Sequence, residues 1–303
     1  MGDFVRPADS SYSKRTNRIV TAVFSVLSVL FFLPVLLVII VSVSSQDSVT
    51  AVGYSYFPRE FSLEAYRYLF NSGMYLARSF VNSVIITIAG TALGLILMYP
   101  MAYALSRREY RMRGFLIVFI MIPMLFSGGL VASYMVNTQL LHLKNTYFAL
   151  IFPGLCSTWY ILIMRNYFMD ALPDSLIEAA KLDGGNNFQI ITKVVIPLTK
   201  PVIMTVAVFQ MFSYWNSWYP SLLYIDSNHT ELYPLQYVLV NMERSIETVT
   251  RDAQYLTGMQ SYTPPAVTIR MAMVVLVILP IMILFPFFQR FLKTGMSVGA
   301  VKG

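Results

Sequence analysis

Long uncharged apolar runs alternate with short segments that hold nearly all of the charge. Six runs stand out, at 19–43, 80–105, 115–135, 147–168, 201–224 and 268–291. Each is close to the ~20 residues that cross about 30 Å of hydrocarbon as a helix. The strict apolar–polar alternation of membrane-barrel strands is absent, so the pattern predicts an all-α integral membrane protein of six transmembrane helices. Two connecting segments are long, 44–79 and 225–267, the second rich in Tyr, Pro and charge. Within the first, FSLEAYRYLF at 61–70 reads as a short interfacial helix with Phe61, Ala65 and Leu69 on one side.

Composition agrees with a bilayer as solvent. The 303 residues are 56% hydrophobic and 12% charged, with a mean hydropathy of +0.61, far from a water-soluble domain of this size. Of the 22 Lys and Arg, only Arg59, Arg67, Arg78, Lys144, Arg244, Arg251 and Arg270 fall on one side of the six runs. The positive-inside rule therefore puts both termini in the cytoplasm and the two long segments outside. The net charge of +7 reflects this loop bias, so no nucleic-acid partner is expected. The first run is too long for a signal-peptide core and reads as a retained anchor.

The span interiors carry essentially no ionisable residue; Arg165, Arg270 and Arg290 lie near ends, where they snorkel. Proton-coupled transport normally leaves such residues visible at membrane depth. A sodium carrier that uses backbone carbonyls is compatible with the pattern. No G-x-x-x-x-G-K-[ST] phosphate loop is present, so energy for an ATP-driven process comes from another subunit. No nucleophile–base set or H-E-x-x-H pair supports a membrane enzyme. His142 and His229 read as surface residues, and the single Cys156 supports neither a disulfide nor a zinc cluster. Gly90 and Gly94 form a G-x-x-x-G patch, while Pro100, Pro123, Pro153, Pro280 and Pro286 interrupt helical hydrogen bonding.

Between the fourth and fifth spans, 172–201 reads LPDSLIEAAKLDGGNNFQIITKVVIPLTKP. Pro173 favours a helix start, and Ser175 and Glu178 have capping-box spacing. Gly184 and Gly185 stop that helix. Asn187 is the expected cap of a second helix, with Phe188, Ile191 and Val195 on one face and Pro197 and Pro201 opening the fifth span. Ala179 and Ala180 leave a smooth surface for close approach by another protein.

Glu178-Ala179-Ala180, Asp183-Gly184 and Val194-x-Ile196-Pro197 together resemble the EAA loop of binding-protein-dependent ABC importer permeases. The departures are Gly185 for the usual Ala, and Val194 and Ile196 for Ile and Leu. The resemblance extends over nearly the whole chain and is nearest to the smaller permease subunit of carbohydrate importers of the maltose type, including those for polysaccharide-derived oligosaccharides. It implies a single type I permease domain over 1–303, multi-pass in a bacterial cytoplasmic (inner) membrane. It assigns ATPase docking to Glu178, Ala179, Ala180, Asp183, Gly184, Gly185 and Pro197. The tail at 292–303 resembles that subunit's C-terminus, which reaches the ATPase interface, here through Gly299, Lys302 and Gly303. The implied partners are a second homologous permease subunit, two ATP-binding subunits, an extracytoplasmic solute-binding protein and a carbohydrate substrate. The chain itself would bind no cofactor, with ATP and Mg on the partner subunits, and would perform no chemistry.

Gln210, Ser213, Tyr214, Trp215, Asn216 and Trp218 form the densest polar–aromatic cluster in any span. Aromatic faces pack on the C–H faces of sugar rings and amides satisfy hydroxyls, so this cluster is the candidate substrate pathway. An aromatic belt at the membrane surface is the alternative for the Trp residues. For the chain as a whole, the alternative is a carrier or channel for a small polar solute that needs no motor.

Overall fold

The computed structural model describes residues 14–71, 73–255 and 266–299. Among them every regular element is helical, apart from one antiparallel bridge between Ser44 and Phe61. They fall into two compact units, 14–71 with 249–255 and 266–276, and 73–248 with 277–299.

In the first unit, α1 (Lys14–Ser42) is apolar around its circumference from Ile19 onward, with Phe24, Val29 and Phe31 all exposed, while its end is packed, with Val41 buried. The exposed stretch suits lipid on every side. Then come α2 (Gln46–Val52) and α3 (Glu64–Asn71). Ala65 and Leu69 of α3 are buried as expected, but Phe61 is 78% exposed. It precedes the helix, in the extended bridge to Ser44, so the helical period does not reach it. Ser42 Oγ meets Tyr66 OH at 2.9 Å, and Gln46 Oε1 accepts from the Thr268 amide and hydroxyl at 3.2 Å each.

The second unit is built on α4 (Gly73–Ser106), which starts seven residues before the predicted span at 80. Its core joins Met98, Ala102 and Leu105 of α4 to Met164 and Phe168 of α8 (Thr158–Ala171) and to Val202 and Val206 of α11 (Ile196–Trp215). Phe168 is fully buried, with Tyr99 and Tyr103 edge-on at 5.3 and 6.4 Å between ring centres.

Three predicted spans are not single straight helices. The third breaks: α5 (Arg113–Leu125) and the segment from Gly129 to Leu140, containing α6 (Gly129–Met135), meet at 114°. Phe126 is extended, the Ser127 hydroxyl accepts from the Gly129 amide, and Gly129 takes φ +82, which a side chain would resist. The fourth bends by 50° between Tyr147–Gly154, which contains α7 (Tyr147–Ile151), and α8. The fifth begins at α10 (Asn187–Ile190) and continues through a π-helical stretch, Ile191–Val195, into α11. It ends at Trp215, and α12 (Tyr219–Tyr224) follows after a break. Pro197 and Pro201 therefore lie inside a running helix. Neither has an N–H to donate, and the wider π turn just before them relieves the ladder.

The segment 225–267 is not loop throughout, since α13 (Leu235–Tyr255) occupies much of it. Finally α14 (Ala266–Gly299) runs past the predicted end of the sixth span and through most of the expected tail. Among the described residues four helices are long and apolar enough to cross a membrane, or up to six spans if each bent pair counts as one.

Candidate functional site

Leu172, almost wholly buried in the core, anchors the segment that follows. Pro173 (φ −59, ψ 146) then turns the chain into α9 (Asp174–Leu182). The expected Ser175–Glu178 capping box does not form: Pro173 occupies the cap position, so Ser175 is already inside the first turn. Only Ile177 is buried, and Glu178 and Ala179 face outward with Ala180 half-buried.

The turn is made by glycine. Gly184 has φ +80 and donates to the Lys181 carbonyl at 3.0 Å, while Gly185 donates to the Ala180 carbonyl at 3.1 Å. A methyl group on Gly185 would stand 2.8 Å from the Ala180 oxygen. The alanine usual at this place in the EAA pattern therefore would not fit this turn without a backbone shift.

Asn186, not Asn187, caps α10 with a complete capping box. Its side chain accepts from the Gln189 amide at 2.8 Å, and Gln189 Oε1 accepts from the Asn186 amide at 3.1 Å. Because the π stretch shifts the register, the inward residues are Ile190 and Val195, and Phe188 is 74% exposed. Leu182, at the end of α9, is 89% exposed. Among the described residues, two large apolar side chains thus flank the glycine turn largely uncovered.

The connection between α4 and α5 braces α9. Arg107 donates to the Leu172 carbonyl at 3.2 Å, meets Asp174 at 3.4 Å and covers the Tyr103 ring at 5.1 Å. Lys181 stands 3.9 Å from Glu109. A cleft of about 330 Å³ lies between these elements, floored by Ile177 and Ile190 and walled by Arg107, Glu178 and Lys181.

The polar–aromatic cluster of α11 divides in two. Gln210, Tyr214 and Trp215 are buried, and each donates a hydrogen bond inside the protein, while Gln210 Oε1 is buried with no hydrogen-bond partner among the described residues. Gln210 Nε2 donates to the Gly154 and Leu155 carbonyls at 2.9 and 3.3 Å, and Tyr214 OH donates to the Ile151 carbonyl at 2.7 Å. These are carbonyls left open where the fourth span bends. Trp215 Nε1 donates to the Val277 carbonyl at 3.1 Å. All three serve as structural latches, and sugar contact from them would require the helices to part. Gly90 and Gly94 receive them: an added methyl would stand 2.5 Å from the Tyr214 ring at Gly90, and 2.7 Å from Gln210 Nε2 at Gly94. Ser213 and Asn216 are exposed, and half-buried Trp218 lies under Arg244 at 5.4 Å.

A second polar network, not foreshadowed by any motif, joins Asn82 and Tyr147 to the segment after α12. Asn82 Nδ2 donates to the carbonyls of Glu231 and Tyr233, and Tyr147 OH donates to Asn82 Oδ1 at 2.8 Å. Asn145 (φ +58) exchanges two hydrogen bonds with Asp226, whose carboxylate also meets Lys144 at 2.9 Å. The Asn145 bond, then Lys144, hold the Asp226 carboxyl below its ordinary value. A bond from His229 lowers Glu231 in the same way, and burial pushes the Tyr233 hydroxyl up to about 12. In the predicted ATPase-interface tail, Gly299 is the last helical residue of α14; Lys302 and Gly303 lie outside the described residues.

Residues 90–298, which include both the glycine-turn segment and the latched bend, match the family described as "Binding-protein-dependent transport system inner membrane component". The chain belongs to that family. Among this permease's relatives, Protein LplC of Bacillus subtilis (strain 168) is 38% identical over 249 residues, 82% of this chain and 81% of LplC. The polygalacturonan/rhamnogalacturonan transport system permease protein YtcP of the same organism is 36% identical over 264 residues, 86% of this chain and 89% of YtcP. Among solved structures, a bacterial ABC transporter involved in the import of the acidic polysaccharide alginate has a chain 28% identical to this permease. It superposes with a TM-score of 0.75, covering 93% of this chain and 99% of that one. The family is one of membrane transport components, and the permease's apolar helices agree with a multi-pass membrane protein.

Proposed function

We propose that this permease is one of two membrane subunits of an ABC importer, and that it forms half of a pathway for a polysaccharide-derived oligosaccharide handed over by an extracytoplasmic binding protein. The substrate class follows the kinship with YtcP and the alginate importer. In this reading 1–303 is one permease domain with both termini in the cytoplasm, and 44–79 and 225–267 face the binding protein. ATP and Mg belong to two partner subunits, and this chain performs no chemistry. Of the α11 cluster, exposed Ser213 and Asn216 and half-buried Trp218 are the residues left to line the pathway, because Gln210, Tyr214 and Trp215 are buried within the protein.

The observation that carries the proposal is the glycine turn with Leu182 and Phe188 bare on either side of it, next to Glu178, Ala179, Asp183 and Gly184. Apolar side chains held out on a rigid corner fit a hydrophobic recess on another protein. Arg107 and Glu109 fix that corner to the bundle, so a push on α9 reaches α4 and α8 as a rigid-body movement. Pro197 acts further along, where the docking segment becomes α11.

The test is co-purification with the ATP-binding subunits. The Leu182→Asp/Phe188→Asp double variant should lose them while keeping its own elution position in detergent. Full retention of the ATPase subunits by that variant would remove the docking role.

A further inference from the structure

We infer that the corner formed by 108–113 and the end of α8 is a seat for an anionic phospholipid, binding the headgroup phosphate through Arg108, Arg111, Arg113 and Arg165. Arg108 and Arg111 are exposed and Arg113 half-buried. Among the described residues no carboxylate comes within ion-pair distance of any of the three; Asp174 meets Arg107, Glu109 meets Lys181, Asp170 has an interaction of its own, and Glu178 lines the cleft on which Arg108 also borders. Among the described residues, the Met169 sulfur, at 3.9 Å, is the hydrogen-bond partner of Arg113. Met169 follows Arg165 by one turn of α8, so this contact brings Arg113 to the same corner as Arg165, where two like charges repel. Arg165 is itself held in place by donating to the Leu105 carbonyl at 3.2 Å and to Asn166 at 2.9 Å. A phosphate diester between the two guanidiniums turns that repulsion into shared charge-assisted hydrogen bonds.

The occupant is a lipid and not a free phosphate or an acidic protein, because an acyl-chain wall rises from the same arginines. Phe115, Val118, Phe119 and Ile122 lie at helical spacing on α5 directly after Arg113, and each is more than half exposed. Gly114 leaves open space beside the first of them. A cationic floor below an exposed apolar face matches the amphipathic shape of a phospholipid, whereas an acidic protein surface would leave that face uncovered. The same connection carries Arg107 and Glu109, which brace α9, so the lipid would stiffen the mount of the ATPase-docking turn.

The probe is phosphatidylglycerol bound to the purified chain in phosphatidylcholine nanodiscs, read by native mass spectrometry. This needs neither transport nor a partner, so its failure is distinct from failure of the importer reading. The wild-type chain should retain phosphatidylglycerol. Removing each arginine should weaken retention about fivefold, and Arg108→Gln/Arg111→Gln/Arg113→Gln together on the order of a hundredfold. Equal retention by the triple variant, in a chain that elutes normally, would show that these charges only orient the protein and would overturn the proposal. So would full displacement of the lipid by inorganic phosphate, which would mark a site for the free ion.

Discussion

A methyl group on Gly94 would meet the Leu155 carbonyl oxygen and the Gln210 amide, both at 2.7 Å. Backbone and buried amide cannot both retreat, so Gly94→Ala should lower stability by about 1–3 kcal/mol, the usual cost of overpacking. A fall in the thermal midpoint of the detergent-solubilised chain checks it, and an unchanged midpoint would mean the helices can separate freely there. Asp226 gives a pH prediction. Its carboxyl is depressed in the folded protein, so its contribution is complete above the ordinary value of 3.8 and is lost as pH falls through the lower folded value. Protection of the amides at 143–146, taken relative to their slower intrinsic exchange in acid, should fall over that window in the wild type, and Asp226→Asn should show the lower protection already at neutral pH. The sequence made the G-x-x-x-G patch and the α11 cluster visible as separate features. That each fills the other depends on the bend at 152–157, which brings the Ile151, Gly154 and Leu155 carbonyls to Tyr214 and Gln210 and has no local signature beyond Pro153.

At the scale of elements, hydropathy located the membrane-crossing material but not its breaks. A helix of apolar residues and a sharp turn of apolar residues score alike, so the 114° corner after α5 was hidden in one continuous run. The register of α10 was missed for a related reason, since a π turn adds a residue that a 3.6-residue count omits. The glycine stop, by contrast, was legible, because a positive φ at Gly184 has a residue-level cause. The brace on α9 yields a further prediction. Arg107→Gln removes the link to Asp174 and the Leu172 carbonyl, leaving the corner attached but loose. Exchange across 174–182 should accelerate several-fold while α4 and α8 stay protected; unchanged exchange in α9 would show that Ile177 alone fixes the helix.

At the scale of the molecule, an apolar bundle, a rigid glycine corner presenting Leu182 and Phe188, and membership of a transport family point to a subunit that converts another protein's motion into membrane movement. The family resemblance rested on residue order at 178–197, which a sequence displays directly. The exposure of the two apolar side chains depends on what the rest of the chain fails to cover, and this only the three-dimensional packing reveals. The most direct measurement is ATP-dependent uptake of a polysaccharide-derived oligosaccharide into proteoliposomes holding the assembled complex and its binding protein. Wild-type complex should accumulate the sugar only with ATP, and complex whose permease carries Leu182→Asp/Phe188→Asp should not. Equal uptake without ATP, or uptake undiminished by the double substitution, would contradict the account.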